Sequence, residues 1–152
     1  MEFRAASTED LEEIVGMLAD DVLGARRERF EKPLPDVYWQ AFDRIQKDPN
    51  NELVVAVEGD QILGTLQISF IPYLTFQGGL RAQIEAVRVH KNHRGKGLGK
   101  QFFQWAIERA RSEGCHLVQL TTNKERDKAK DFYGALGFEA SHEGMKLYLK
   151  PG

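Results

Sequence analysis

One cysteine, five prolines and no long apolar run mark what this 152-residue chain does without. With Cys115 alone, no disulfide can form within the chain and no cysteine metal cluster is possible. Cys115 opens an apolar stretch and reads as a core residue. None of the four histidines stands at a helical metal-ligand spacing, so no metal is expected. Charge of one sign is also missing. The 21 Lys and Arg against 23 Asp and Glu leave −2, no overall field for nucleic acid. No segment approaches the length of a membrane span, and Met1-Glu2-Phe3-Arg4 opens without an apolar signal region. A cytoplasmic protein with neither a membrane nor a nucleic-acid partner is expected. Repeats, low-complexity tracts and linkers are absent, which predicts a single domain over residues 1–152.

What is present is concentrated between Val87 and Lys100. A β-branched run ends at Val89, and a basic loop follows with Gly95, Gly97 and Gly99 at alternate positions. From Leu98 the residues Phe102, Trp105, Ala106 and Ala110 mark one helical face. The pattern is strand, glycine loop, helix. Glycines let a ligand approach the backbone, and the first turn of a helix offers unpaired N–H groups with positive partial charge. Together they suit a phosphate. A ligand-free glycine turn is the competing reading. A Walker A loop is excluded, because Arg94 stands at its first glycine and Gln101 follows Gly99-Lys100. A dinucleotide fingerprint is excluded, because Lys100 takes the third glycine's place.

Read in order, Phe3–Ala6 is a short edge strand and Ser7, with Asp10 three residues on, caps an amphipathic helix through Leu11, Ile14, Val15 and Leu18. Residues 21–35 form a connector, helical near Ala25–Phe30. Asp36 caps a second helix that stops before Pro49. Leu53–Val57 and Ile62–Phe70 make a hairpin, and Pro72–Gly79 its distal loop, where Tyr73 and Phe76 line a pocket or cover core. Leu80–Val89 enters the glycine loop. The helix Leu98–Ser112, the strand Leu117–Thr121, the helix Asp127–Leu136 and an antiparallel pair, Phe138–Ser141 with Lys146–Leu149, complete the chain. The fold class is α/β with a central mixed sheet flanked by helices, in the order β-α-α-β-β-β-α-β-α-β-β.

Arg94-x-x-Gly97-x-Gly99 resembles the acyl-CoA diphosphate loop of the GNAT N-acetyltransferase family. Two further stretches resemble the same family in the same order. They are Gln83-Ile84-Glu85-Ala86-Val87-Arg88-Val89 before the loop, and Leu120–Asn123 followed by Phe132-Tyr133-Gly134-Ala135-Leu136-Gly137-Phe138. The resemblance implies the GNAT fold and acetyl transfer from acetyl-CoA, a cosubstrate, to a primary amine of a small molecule or protein, in a ternary complex. It further implies a strand parted from its neighbour near the loop, with the backbone of Val87, Arg88 and Val89 along the pantetheine arm. The amides of Arg94, Gly95, Lys96, Gly97, Leu98 and Gly99 would hold the diphosphate, Lys96 or Lys100 adding charge. Asn123 would bond the arm and Ala129 would pack near it. A monomer or homodimer fits the family.

Such chemistry needs a neutral amine, a donor for the carbonyl oxygen as it gains charge, and a proton for the departing thiolate. Glu85 is the candidate base, with a salt-bridged edge carboxylate as the other reading. The N–H near Val87 is the candidate oxyanion donor. Tyr133 is the candidate acid by the family motif, with a core aromatic on the Ala129, Phe132 and Leu136 face as the other reading. A non-catalytic acyl-CoA-binding regulatory module, or transfer of a longer acyl group, remains as an alternative function.

Overall fold

Strict alternation of side chains splits the apolar residues of the central strands between two cores. The computed structural model describes residues 1–126 and 128–150. Its strands are β1 (Glu2–Ala5), β2 (Asn51–Glu58), β3 (Gln61–Pro72), β4 (Leu80–Val89) and β5 (Leu117–Gln119). They form one sheet in the order β1-β2-β3-β4-β5, antiparallel except for the parallel pair β4 and β5. Its helices are α1 (Leu11–Ala19), α2 (Val22–Arg27), α3 (Asp36–Lys47), the four-residue turn α4 (Thr75–Gly78), α5 (Leu98–Ser112) and α6 (Ala129–Ala135).

Val54, Ala56, Leu66, Ile68, Ala82 and Ile84 face α5, where Phe102, Phe103, Ala106 and Ala110 meet them. Val55, Val57 and Ile62 face the other way, against Leu11, Ile14 and Val15 of α1 and Phe42 of α3. Each fully buried side chain of this size contributes about 1.5–3 kcal/mol. One contact fixes the distance between α5 and the sheet. A Cβ on Gly64 would lie 2.1 Å from Phe102 Cε2 and 2.5 Å from the Arg88 carbonyl oxygen, so the phenyl ring rests directly on β3 backbone.

The start of α1 is tied to β1. Ser7 N–H donates to Asp10 Oδ2 at 2.8 Å, and the Arg4 guanidinium donates to both Asp10 oxygens at 2.7 and 3.0 Å. Arg4 holds the Asp10 carboxyl below the usual carboxylate range against the opposing effect of burial. Pro49 follows the end of α3, as expected, and the structure places Gly59 in the β2–β3 turn in a left-handed conformation.

Several expectations need correction. The connector helix is Val22–Arg27, not Ala25–Phe30, because Asp21 accepts the Gly24 N–H and caps it at that earlier point. The hairpin strands run longer than Leu53–Val57 and Ile62–Phe70, and β5 is shorter than Leu117–Thr121. The final pair Phe138–Ser141 and Lys146–Leu149 does not form. Residues 139–150 hold no strand, and Met145, Leu147 and Leu149 are exposed. Alternation of apolar residues is present there, but β5 offers only three residues of ladder, and a two-stranded hairpin without a neighbour is marginal in water.

Candidate functional site

The sheet parts where β4 passes beyond β5. Pairing joins Arg81, Ala82 and Gln83 to Leu117, Val118 and Gln119, and stops there. From Ile84 to Val89 the edge of β4 that faces β5 has no registered partner among the described residues. Its opposite edge stays bonded to β3, with one irregularity. Gln67 pairs Glu85 and Thr65 pairs Arg88, so Ala86 and Val87 stand against the single residue Leu66. Ala86 adopts φ +54°, in the left-handed region. This is a β-bulge, which bends the strand and re-aims its backbone. The bulge therefore lies at the mouth of the gap, beside Val87, Arg88 and Val89.

The glycine loop begins where the gap opens. Lys91–His93 makes a 3₁₀ turn, stapled by Asn92 N–H donating to His90 Nδ1 at 3.2 Å. Gly95 and Gly97 have φ +79° and +78°, and Gly97 is the N-cap of α5. A Cβ at either would meet open space, so the backbone angle, not crowding, requires glycine there. No backbone N–H from Arg94 to Lys100 finds a backbone acceptor among the described residues. The first such bond runs from Gln101 N–H to Gly97 O at 3.4 Å. The α5 mouth thus presents a run of free amides with Lys96 and Lys100 exposed beside it. Arg94 braces the loop. Its Nε donates to Val89 O at 3.1 Å, and its Nη2 reaches Asp20 O at 3.3 Å and Asp20 Oδ2 at 3.4 Å.

Glu85 is exposed on β4 and makes no ion pair among the described residues. Tyr133, on α6, is half-buried. Its ring meets Phe103 at 5.3 Å, Phe132 at 5.5 Å and Phe138 at 6.1 Å between centroids. The ring therefore does belong to an aromatic core cluster, while the hydroxyl makes no protein hydrogen bond among the described residues. Burial pushes the Tyr133 pKa up, against the opposing pull of Arg126 and Arg88. Asn123 follows β5, and its Oδ1 accepts the Glu125 N–H at 2.9 Å, which leaves its amide NH₂ free of that turn. Ala129 is the first residue of α6 and partly buried. Cys115 packs at the edge of the α5 core, where burial raises its thiol pKa.

Sequence reasoning missed a charged cluster at the open end of β4. Asp21 Oδ2 accepts from Arg126 Nη2 at 3.0 Å and lies 3.6 Å from Arg88 Nε. Burial raises the Asp21 carboxyl, but the Gly24 N–H, Arg126 and Arg88 outweigh it and hold it below the usual range. Arg26 pairs with Glu125 at 2.9 Å, so the α1–α2 corner is tied to the segment after β5 across the gap. The available signal was Arg88 itself, an arginine inside the apolar run Val87-Arg88-Val89. At the other end of β4, Tyr73, Phe76 and His116 form an aromatic group, with Arg81 4.8 Å over the Tyr73 ring. Among the described residues no helix is long and apolar enough to cross a membrane.

Comparison with known proteins gives a family and several relatives. Residues 11–138 match the family model described as Acetyltransferase (GNAT) family. An aminoalkylphosphonate N-acetyltransferase from Salmonella typhimurium is 27% identical over 142 residues, covering 93% of this chain and 86% of the relative. An L-methionine sulfoximine/L-methionine sulfone acetyltransferase from Pseudomonas aeruginosa is 31% identical over 151 residues, covering 98% and 86%. A solved structure described as a transcriptional regulator from Bacillus halodurans is 58% identical with a TM-score of 0.94, covering 97% of this chain and 99% of that one.

Proposed function

Because this chain belongs to the acetyltransferase (GNAT) family and is an acyltransferase, we propose that it moves an acetyl group from acetyl-CoA to a primary amine of a small molecule. The observation that carries the reading is the run of free amides from Arg94 to Lys100, placed where β4 and β5 part. Those amides would hold the diphosphate, with Lys96 and Lys100 beside it. The unpaired edge of β4 at Val87, Arg88 and Val89 offers the pantetheine arm strand-like partners. The free amide of Asn123 and the small side chain of Ala129 face the same arm in this reading. Acetyl-CoA supplies the thioester that an amine attacks. A small acceptor is favoured over a protein amine because the two relatives named above act on an aminoalkylphosphonate and on L-methionine sulfoximine or sulfone.

The chain's own groups divide the work. Glu85, unpaired and exposed, takes the proton from the incoming ammonium directly or through a water. The Val87 N–H at the bulge donates to the carbonyl oxygen as it gains charge. The Tyr133 hydroxyl protonates the departing sulfur. Burial favours its neutral, proton-bearing form, so loss of this acid belongs to the alkaline limb above the ordinary phenol value of about 10.

Release of free thiol from acetyl-CoA, measured with a panel of primary amines, tests the proposal. Amine-dependent release is expected, and Tyr133→Phe should lower kcat roughly 100- to 10,000-fold while cofactor affinity holds. The Bacillus halodurans structure described as a transcriptional regulator, at 58% identity, supports a regulatory role, and with it a second reading in which the chain is a non-catalytic acyl-CoA-binding module. CoA binding without release for any amine, with acetyl or longer acyl-CoA, would establish that reading. Absence of CoA binding at millimolar ligand removes both.

A further inference from the structure

Arg88 is a guanidinium with too few partners. Its side chain is only 14% exposed. Among the described residues its Nε makes no hydrogen bond, and the carboxylate oxygen paired with it, Asp21 Oδ2 at 3.6 Å, is taken by Arg126. The other Asp21 oxygen serves the Gly24 N–H. Among the described residues Arg88 makes one hydrogen bond, from Nη1 to Val87 O at 2.9 Å. A guanidinium has five N–H donors, and burying them unspent is costly. Among the described residues the charges that act most on it are Asp21, Arg126, Arg27 and Glu28, so three cations stand against two anions there when Arg88 is counted. The balance leaves room for one more negative group.

The position matters as much as the charge. Leu53, Gln67 and Glu85 are in register across β2, β3 and β4, as are Val55, Thr65 and Arg88. Residues in register share a face of the sheet. Leu53 and Val55 both belong to the α1 and α3 side, so Glu85 and Arg88 lie on that side too. The bulge makes this possible for residues three apart. Arg88 also lies close enough to Tyr133 to influence its hydroxyl. The loop amides expected to hold the diphosphate come later, after the chain has turned at Lys91–His93.

We propose that Arg88, with Arg126 beside it, binds an anionic group of the acceptor: a carboxylate, phosphonate or phosphate carried a few bonds from the reactive amine. The assignment rests on the acetyl-transfer reading above and names the acceptor class for it. Arg88 presents a planar fork to the anion while the amine reaches Glu85, so charge fixes the orientation of a small molecule that offers little apolar surface. Asp21 holds the two arginines apart from each other's repulsion when no acceptor is bound.

The test compares kcat/KM at saturating acetyl-CoA for five acceptors in the full chain. These are 2-aminoethylphosphonate, β-alanine and ethanolamine, which lacks the anionic group, with glucosamine 6-phosphate and glucosamine as a second pair. Acceptors that carry the anionic group should exceed their counterparts without it about tenfold to a hundredfold, the worth of one charge-assisted contact. Arg88→Gln should collapse that ratio through KM, and Arg88→Lys should restore it only in part, because an ammonium lacks the fork. Arg126→Gln, outside the sheet, should reduce the ratio less and serves if Arg88→Gln fails to fold. Arg81→Gln is the control, since Arg81 is also on this face with an unpartnered Nε, but at the far end of β4. Equal rates for amines with and without the anionic group overturn the proposal and leave acetyl transfer standing. Loss of the ratio in Arg81→Gln instead of Arg88→Gln overturns it as well. An equal loss of CoA affinity in Arg88→Gln would assign the guanidinium to the cofactor and overturn it. No amine-dependent release with CoA bound defeats the enzymatic reading itself.

Discussion

The two edges of β4 have opposite fates. Toward β3 it is registered from Leu80 against Pro72 to Val89 against Gly64, interrupted at the Ala86–Val87 bulge, and His90 N–H continues the ladder to Leu63 O at 2.8 Å. Toward β5 it pairs at three positions and then stands open. The closed edge is backed by two cores, whereas the strand facing the open edge gives way to the exposed Thr121, Thr122 and Asn123. An unpaired strand edge is usually a hazard for association. Here its cost is offset by the other side, which holds the strand in place without help from β5. Stability and ligand capture are thus carried by different edges of one strand.

Substitutions on each side should separate the two. Gly97→Val has the largest expected effect. A β-branched residue at φ +78° strains the N-cap, by about 1–2 kcal/mol, yet its side chain meets open space. CoA binding by calorimetry should be lost while thermal unfolding shows a folded protein. Retained affinity would mean that the loop does not hold the diphosphate. Gly64→Ala acts on the closed edge. Its methyl group would strike the Phe102 ring and the Arg88 carbonyl, so urea unfolding should show a loss of about 1–3 kcal/mol. CoA affinity per folded molecule should change far less than in Gly97→Val. An unchanged urea midpoint would show that α5 and β3 separate freely, and the division of labour would fail.

The closed edge was largely legible in the sequence, and the open one only in part. Alternation in β2 and β3, the Gly59 turn and the helical face from Leu98 to Ala110 are local signals that the tertiary structure reinforces. Gly95 and Gly97 announced their positive φ because no other residue adopts it at so little cost. Ala86 announced nothing, since alanine carries no preference for the left-handed region, and the bulge exists only because β3 and β4 meet with unequal counts. The Asp21–Arg88–Arg126 cluster joins residues 67 and 105 positions distant from Asp21, a separation no local pattern reports. At the C-terminus the pattern misled: Met145, Leu147 and Leu149 alternate as a strand would, but a strand also needs a partner edge.

Amide hydrogen exchange with and without saturating acetyl-CoA tests the parted-strand site most directly. Slowed exchange is expected at residues 94–100 and along 84–89, with β3 unchanged because its amides are already bonded. Protection confined to other segments, or none at all at saturating ligand, would contradict the assignment of this gap and loop as the acyl-CoA site.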